Sequence, residues 1–256
     1  MNAQVPVPIG AKYIFLNRVH PVMSMLEKNK EYGDKLKAIL MLRHEPAAVR
    51  LIREDEDPPK YPETDKQMSH CQAVASATKG NALLVMKEMQ ECKVGSSALG
   101  MANTPDKVRS GEFHFGIGAH DTVGATEKMI AARSEVGFKA KGAVYSPLSK
   151  ADFEPDVVII EDIPERIYWF IPLSTAKEGG RVNLSTAPFQ AACVDCIAVP
   201  MVSGSINISL GCFGCRKRTD IQSDEMLMGI PYSKIPEMIK TLERYKGGIM
   251  TKAKRE

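Results

Sequence analysis

Four cysteines form two Cys-x-x-Cys pairs, and their type and spacing are those of a metal site. CVDC occupies residues 193–196 and CFGC occupies residues 212–215, with 15 residues between the pairs. Two intervening residues allow both sulfurs of a pair to face one point, and in the first pair, which lies in a predicted helix, positions i and i+3 share a face. Four thiolates satisfy either a tetrahedral zinc ion or a [4Fe-4S] cluster. The spacing therefore predicts a metal centre with the ligands Cys193, Cys196, Cys212 and Cys215.

The sequence around both pairs is apolar, as in FQAACVDCIAV and INISLGCFGC. Zinc ribbons usually carry their pairs on polar turns, whereas a buried apolar setting suits a cluster that is shielded from solvent. The flanks therefore suit a cluster, although the residues alone leave zinc and iron–sulfur nearly even. The spacing alone leaves zinc open, and it also leaves open cysteines that serve as small buried hydrophobic residues or as a redox pair.

Three basic residues, Arg216, Lys217 and Arg218, directly follow the last cysteine. Positive charge at this point would stabilise a negatively charged cluster or hold an anionic substrate beside it. The alternative interpretation is a solvated basic turn. Arg216 is therefore a candidate ligand-binding residue.

A glycine-rich segment, FHFGIGAHDTVGAT at 113–126, is a second candidate site. Backbone amides of a glycine turn that leads into a helix can bind a phosphate or carboxylate, which makes Gly116 and Gly118 candidate ligand-binding residues. The glycine spacing fits neither a dinucleotide-binding fingerprint nor a P-loop. His120 and Asp121 could act as a catalytic acid–base pair. The alternative is a structural turn in which Asp121 or Thr122 caps the next helix.

Predicted strands and helices alternate along the chain, which favours an α/β or α+β fold with a mixed sheet flanked by helices in one compact domain. The predicted strands are 48–52, 81–88, 141–148, 155–162, 181–185 and 205–210, the fourth being apolar enough to be central. The predicted helices are 24–40, 69–80, a short one opened by Thr104 and Pro105, 126–136, 164–177, 187–199 and 233–245.

The acidic, proline-rich run REDEDPPKYPETDK at 53–66 predicts a surface loop, because prolines interrupt both helices and central strands. We therefore divide the chain into two parts. Residues 1–64 form an N-terminal helix–strand segment with this loop, packed on the main body. Residues 65–256 form the main domain, which contains the cysteines.

The composition excludes several classes of protein. Of the 256 residues, 44% are hydrophobic and 25% are charged, which is globular rather than disordered or fibrous. A net charge of +3 gives no reason to expect nucleic acid. No apolar run approaches the roughly 20 residues of a membrane span, and MNAQVPVPIG is not a signal peptide. We therefore expect a cytoplasmic protein with reduced cysteines and no membrane partner, and a homodimer on base rates.

The chain from residue 65 onward resembles the domain-of-unknown-function 169 family of archaea and anaerobic bacteria. The resemblance covers residues 65–245 and is most specific in NISLGCFGCRKRTDI and DEMLMGIPY, with SHCQAV and the cysteine at 92 upstream. It implies that Cys71, Cys92, Cys193, Cys212 and Cys215 are a second possible set of ligands, from which three thiolates would leave one iron open to a substrate. The occurrence of the family in anaerobes implies an oxygen-sensitive cluster rather than zinc.

Spacing and resemblance together predict a [4Fe-4S] protein, either a redox protein or a cluster-dependent enzyme of anaerobic metabolism. Its partners would be a small-molecule substrate or a redox partner protein. The alternative is a non-enzymatic binding or assembly module with structural zinc at the same cysteines. A further alternative makes the glycine segment the active site and the cysteines its support.

Overall fold

The centre of the molecule is a six-stranded sheet. The structure is a computed structural model that describes the backbone of residues 6–9 and 12–15 and all of residues 23–252. The segment MNAQVPVPIG, for which the sequence predicts no signal peptide, lies largely outside these residues. The strands are β1 (Pro6–Ile9), β2 (Lys12–Phe15), β3 (Ala47–Arg53), β4 (Leu83–Met86), β5 (Ala140–Pro147), β6 (Val157–Asp162), β7 (Asn207–Ser209) and β8 (Met226–Pro231). Strands β1 and β2 pair with each other, and the other six form the main sheet in the order β4-β5-β3-β6-β8-β7.

Helices cover both faces of this sheet. They are α1 (Met25–Leu40), α2 (His70–Thr78), α3 (Lys93–Ala98), α4 (Asp106–Arg109), α5 (Glu112–Phe115), α6 (Val123–Ala131), α7 (Pro164–Ile167), α8 (Phe170–Thr175), a π-helix (Ala191–Ala198), α9 (Val199–Ser203), α10 (Phe213–Arg218), α11 (Ile235–Lys246) and α12 (Ile249–Lys252). No helix among the described residues is long and apolar enough to span a membrane.

Alternate residues of each strand belong to two separate cores, because successive side chains of a strand point to opposite faces. Val49, Tyr145 and Ile159 belong to the core that contains Cys193, Cys196, Cys212 and Cys215. We call this side of the sheet the cysteine face. Their neighbours Ala48, Val144 and Val158 belong to the core that contains residues of α1 and α11. We call that side the apolar face.

The predicted mixture of helices and strands is confirmed, and strand β6 is internal, as its apolar sequence predicts. The expected mixed sheet is wrong in detail, since the strand pairs of the main sheet are antiparallel. Long apolar runs are typical of parallel strands because those are covered on both faces. In this protein an antiparallel sheet is also covered on both faces, so its strands have the same long apolar runs.

Helices α1 and α2 begin where the sequence predicts. Ser24 and Ser69 each close a capping box, with Glu27 and Gln72 at the third helical position. Helix α1 packs on the apolar face, and β3 is an internal strand of the main sheet. Residues 25–53 therefore belong to the same sheet-and-helix body as the cysteines.

Two predicted elements differ in the structure. The segment 181–185 is not a strand, because the side-chain amide of Asn207 on edge strand β7 binds the backbone N–H and C=O of Ser185 at 2.8 and 2.6 Å. The predicted helix 164–177 is two short helices, α7 and α8. Pro172 has no N–H to continue the ladder of helical hydrogen bonds from one to the other.

Candidate metal centre

Separate elements bring the cysteines to the cysteine face. Cys71 lies in the first turn of α2, Cys92 is the N-cap of α3, Cys212 is the N-cap of α10 and Cys215 lies within α10. Cys193 and Cys196 lie on the π-helix. All six are free thiols. Cys71 packs against the core that contains Cys193, Cys196, Cys212 and Cys215, whereas Cys92 packs against a small neighbouring cluster beneath α3.

The Cys212 sulfur lies at the N-terminus of α10, where it accepts hydrogen bonds that stabilise its thiolate form. It accepts the backbone N–H of Cys215 at 3.3 Å. A hydrogen bond from the Cys71 thiol outweighs burial and, with the backbone amides of Ala191, Cys215 and Gln190, lowers the pKa of Cys212 to about 5. Depressed thiol pKa values are typical of cysteines that are reactive or that ligate metals.

Cys71 is the thiol that stays protonated beside the Cys212 thiolate. Hydrogen bonding to the sulfurs of Cys212 and Cys215, together with burial, raises the pKa of the Cys71 thiol well above its usual range. The cysteine spacing pairs Cys212 with Cys215 and with the first Cys-x-x-Cys motif, and only the family resemblance adds Cys71 to the possible ligands. The structure brings the Cys71 thiol, from a helix about 140 residues earlier in the chain, close to Cys212 and Cys215.

Gln190 introduces the π-helix in a left-handed conformation, with φ of 72°. Few residues other than glycine adopt this conformation, and it persists where surrounding contacts require it. The contact here is with Cys212, since the amides of Gln190 and Ala191 stabilise that thiolate. The π-helix is itself a rare element that is frequent at functional sites.

The π-helix changes the geometry of the first Cys-x-x-Cys pair. Residues three apart in a π-helix point roughly 115° apart, whereas in an α-helix they share a face. The α-helical face that Cys193 and Cys196 were expected to share is therefore replaced by π-helical geometry, and their convergence on one metal centre stays a prediction. Cys196 is fully buried, and its backbone lies directly on Gly229 of β8, where a Cβ atom would clash with the Cys196 carbonyl.

Gly95 brings Cys92 and Cys193 close to each other. The Gly95 N–H donates to the Cys92 sulfur at 3.4 Å. A Cβ atom on Gly95 would lie 3.1 Å from the Cys193 sulfur and 3.0 Å from Cδ2 of His70. Any larger residue at this position would push α3 away from the π-helix. Burial raises the pKa of the Cys193 thiol, with the Cys92 and Cys212 sulfurs acting in the same direction.

A buried polar group lies beside these thiols. Nδ1 of His70 is 2.5 Å from the hydroxyl of Tyr145 on β5. Burial lowers the pKa of His70 to about 3 and raises that of Tyr145. His70 is thus a neutral imidazole, and its Nε2 has no hydrogen-bond partner. The sequence gives no signal for this pair, because its members lie 75 positions apart.

Two glutamines near the cysteines are also unpartnered. Both amide atoms of Gln90 and Nε2 of Gln190 are buried without a hydrogen bond. Gln90 is two residues before Cys92, Gln190 is three residues before Cys193, and His70 directly precedes Cys71. Sequence reasoning missed Gln90, Gln190 and Tyr145, since a single polar residue in an apolar run carries no pattern.

The glycine-rich segment lies against the start of the π-helix. His114 is buried with its ring centroid 4.6 Å from that of Phe189, and the His120 ring lies 6.4 Å from the same phenylalanine. Thr122, rather than Asp121, caps α6 by accepting the Ala125 N–H at 3.1 Å. Among the described residues no hydrogen bond joins His120 to Asp121, which is exposed.

Gly116 and Gly118 form an exposed turn of this segment, and only Gly118 has a positive φ, of 87°. Arg216 is used by the fold. Its guanidinium donates to the carbonyls of Leu210, Gln222 and Glu225, the last two at 3.2 and 3.1 Å. These contacts agree with the interpretation of a structural basic turn better than with binding of an anion.

Comparison with known proteins gives a family but no activity. The family described as DUF169, uncharacterised ArCR, matches residues 35–241. The uncharacterized protein MJ0308 of Methanocaldococcus jannaschii is 26% identical over 220 residues, which are 85% of this chain and 94% of that protein. No solved structure matches the chain.

Proposed function

The chain belongs to the DUF169 family, and we propose that it is an iron–sulfur protein whose buried cysteines hold a [4Fe-4S] cluster. The resemblance predicted from the sequence is thereby confirmed, and the match begins at residue 35 rather than at 65. The earlier start agrees with the packing, since α1 and β3 are part of the same body. The family description assigns no chemistry, so the proposal depends on the site.

The unpartnered buried atoms next to the cysteines carry the proposal. Buried polar side chains in folded proteins are almost always hydrogen-bonded, and exceptions call for a specific explanation. Six side chains among the described residues have such atoms, and three of them, His70, Gln90 and Gln190, each lie within three residues of a cysteine. The sulfides and thiolates of a cluster accept hydrogen bonds from such donors, and these hydrogen bonds tune its potential.

The spacing of the thiols supports a cluster over a single zinc ion. Four sulfurs at about 2.3 Å from a tetrahedral zinc lie roughly 3.8 Å from one another. Among the residues that the structure describes, no three cysteine sulfurs lie within 4.8 Å of one another. A cluster binds each thiolate through a different iron and therefore requires a wider arrangement.

The contacts favour Cys71, Cys193, Cys212 and Cys215 as the ligands. The Cys71 thiol lies close enough to Cys212 and Cys215 for both to raise its pKa, and the Cys193 sulfur interacts electrostatically with Cys71 and Cys212. Burial raises the pKa of the Cys196 thiol, and this cysteine interacts with Cys193, Cys212 and Cys215 only electrostatically, whereas hydrogen bonding to thiols is the largest cause of the raised pKa of Cys71. This set replaces Cys196 of the two-pair motif with Cys71.

A cluster that is held by four thiolates in this position would supply electron transfer to small-molecule chemistry. The chain's own contribution is to exclude water with the apolar cysteine face and to hold the neutral His70 beside Cys193. We place this chemistry in the cytoplasm, with a small-molecule substrate or a redox partner protein. The His114–His120 segment is the nearest candidate for substrate contacts, because it packs on Phe189 beside the π-helix.

Iron and acid-labile sulfide analysis of the anaerobically purified protein, with its visible spectrum, tests the proposal. We expect about four irons and four sulfides per chain and a brown absorbance. Cys215→Ser should lose more than nine-tenths of the iron. The matched control Cys196→Ala changes a buried cysteine outside the set and should keep it.

Two results would change this conclusion. About one zinc per chain without sulfide would overturn the cluster and favour a structural zinc module at the same cysteines. Equal loss of iron in Cys196→Ala and Cys215→Ser would restore the two Cys-x-x-Cys pairs as the ligands. Thermal denaturation of both variants distinguishes loss of a ligand from loss of the fold.

A further inference from the structure

A second group of potential ligands lies away from the cysteines, at the end of strands β6 and β8. It consists of His44, Glu161 and Glu225, whose ligand atoms all lie within 4.8 Å of one another. Nε2 of His44 is 2.8 Å from Oε1 of Glu225 and 3.9 Å from Oε1 of Glu161. Two oxygens and one nitrogen at about 2.0–2.1 Å from a tetrahedral ion would be roughly 3.3 Å apart. The observed distances lie on either side of that value.

Glu161 provides a second, independent observation. Its side chain is 95% buried, since only 5% of it is exposed. Among the described residues no group donates a hydrogen bond to its carboxylate, whose one charged neighbour within 4 Å is His44 at 3.9 Å. An ionised carboxylate that is largely buried and has only a histidine at 3.9 Å to balance its charge is costly, and a bound cation removes that cost. The carboxylate is aimed at the His44 nitrogen, where such a cation would lie.

Glu225 is oriented by its surroundings in the way that metal-binding carboxylates are. Its Oε2 accepts the Gln222 N–H at 3.0 Å, and its Oε1 lies 3.4 Å from Nη1 of Arg43. Such outer contacts fix the direction of a ligand and are typical of metal sites. His44 remains about one-quarter exposed, which leaves a water position open toward solvent.

We propose that His44, Glu161 and Glu225 bind one divalent transition-metal cation. The donor set of one imidazole and two carboxylates suits zinc, manganese or ferrous iron, and three protein ligands leave a coordination position for water. The site is separate from the thiols and does not depend on a cluster. The chain would then contain a sulfur site and an oxygen–nitrogen site on different elements.

Titration of the desalted full-length protein with Mn²⁺ tests the proposal, because manganese prefers carboxylate and imidazole ligands and binds poorly to thiols. The electron paramagnetic resonance signal of free aqueous Mn²⁺ falls as the ion binds. We expect one tight site per chain. Glu161→Gln is nearly isosteric and removes one ligand, so it should weaken binding at least tenfold.

Asp220→Asn is the matched control, because it removes one negative charge near Glu161 from a residue outside the site. It should change the affinity less than threefold. His44→Gln, in a partly exposed position, provides a second ligand variant if Glu161→Gln is unstable. No saturable binding, or equal weakening in the control and in both ligand variants, would overturn the proposal.

Discussion

The two faces of the sheet treat buried polar groups in opposite ways. On the apolar face, the side-chain amide of Asn29 donates to the carbonyls of Ala151 and Phe153 at 2.8 and 2.9 Å, and its oxygen accepts the Tyr232 hydroxyl at 2.6 Å. On the cysteine face, His70 and Gln90 are equally buried but keep unpartnered atoms. The apolar face is therefore complete as a folded core, whereas the cysteine face keeps unpartnered polar atoms that the proposed cluster would satisfy.

The largest expected difference between the faces is in iron content. Cys71→Ser, on the cysteine face, should lose more than nine-tenths of the iron, because it removes one of the four proposed ligands of the cluster. Leu36→Ala, on the apolar face, should lower the free energy of unfolding by about 2–5 kcal/mol through the cavity it leaves. Iron analysis and denaturant unfolding of both variants provide the comparison.

Iron per folded chain should be unchanged in Leu36→Ala, since Leu36 belongs to the core on the opposite side of the sheet from the cysteines. Retention of iron in Cys71→Ser would return Cys71 to the role of a packing residue. Loss of iron in both variants would mean that the faces are not independent.

A smaller difference in stability is expected between substitutions of a side-chain amide that is hydrogen-bonded and of one that is not. Asn29→Leu should destabilise the protein by about 2–3 kcal/mol, because it leaves two carbonyls and the Tyr232 hydroxyl without partners. Gln90→Met keeps the length of the side chain and removes an amide that has no partner. It should change the stability of the iron-free protein by less than about 1 kcal/mol.

Unfolding of the iron-free forms in urea measures both values. The Gln90→Met variant should also bind iron less well than the wild type if its amide contacts the cluster. Equal destabilisation by the two substitutions would show that the Gln90 amide has hydrogen-bond partners, either in the protein or in water.

What the sequence can predict follows from the distance between the interacting residues. The starts of α1 and α2 are predictable because Ser24 and Ser69 act within one helical turn. The convergence of Cys212 and Cys215 is predictable for the same reason. The approach of Cys71 to these thiols depends on packing between α2 and α10, which no local pattern encodes. The π-helix is also unpredictable, because its register depends on Gln190 adopting a left-handed conformation.

The smallest expected effect concerns His114, beside the π-helix. Burial, assisted by the charges of Arg133 and His120, lowers its pKa to about 4 from the usual 6.5. The folded protein therefore binds fewer protons than the unfolded chain between these values, so stability is complete above pH 6.5 and falls as the pH drops. At pH 5.5 the loss from this histidine is about 1.4 kcal/mol.

His114→Phe keeps an aromatic ring against Phe189 and removes the titration. Its free energy of unfolding should therefore fall less than that of the wild type between pH 7.5 and 5.5. Denaturant unfolding at the two pH values measures the difference. Parallel curves for the two proteins would mean that the segment opens to solvent and that His114 titrates as an exposed histidine. In that case the contact with Phe189 would not hold the glycine-rich segment against the cysteine face, and this segment would lose its position as the nearest candidate for substrate contacts.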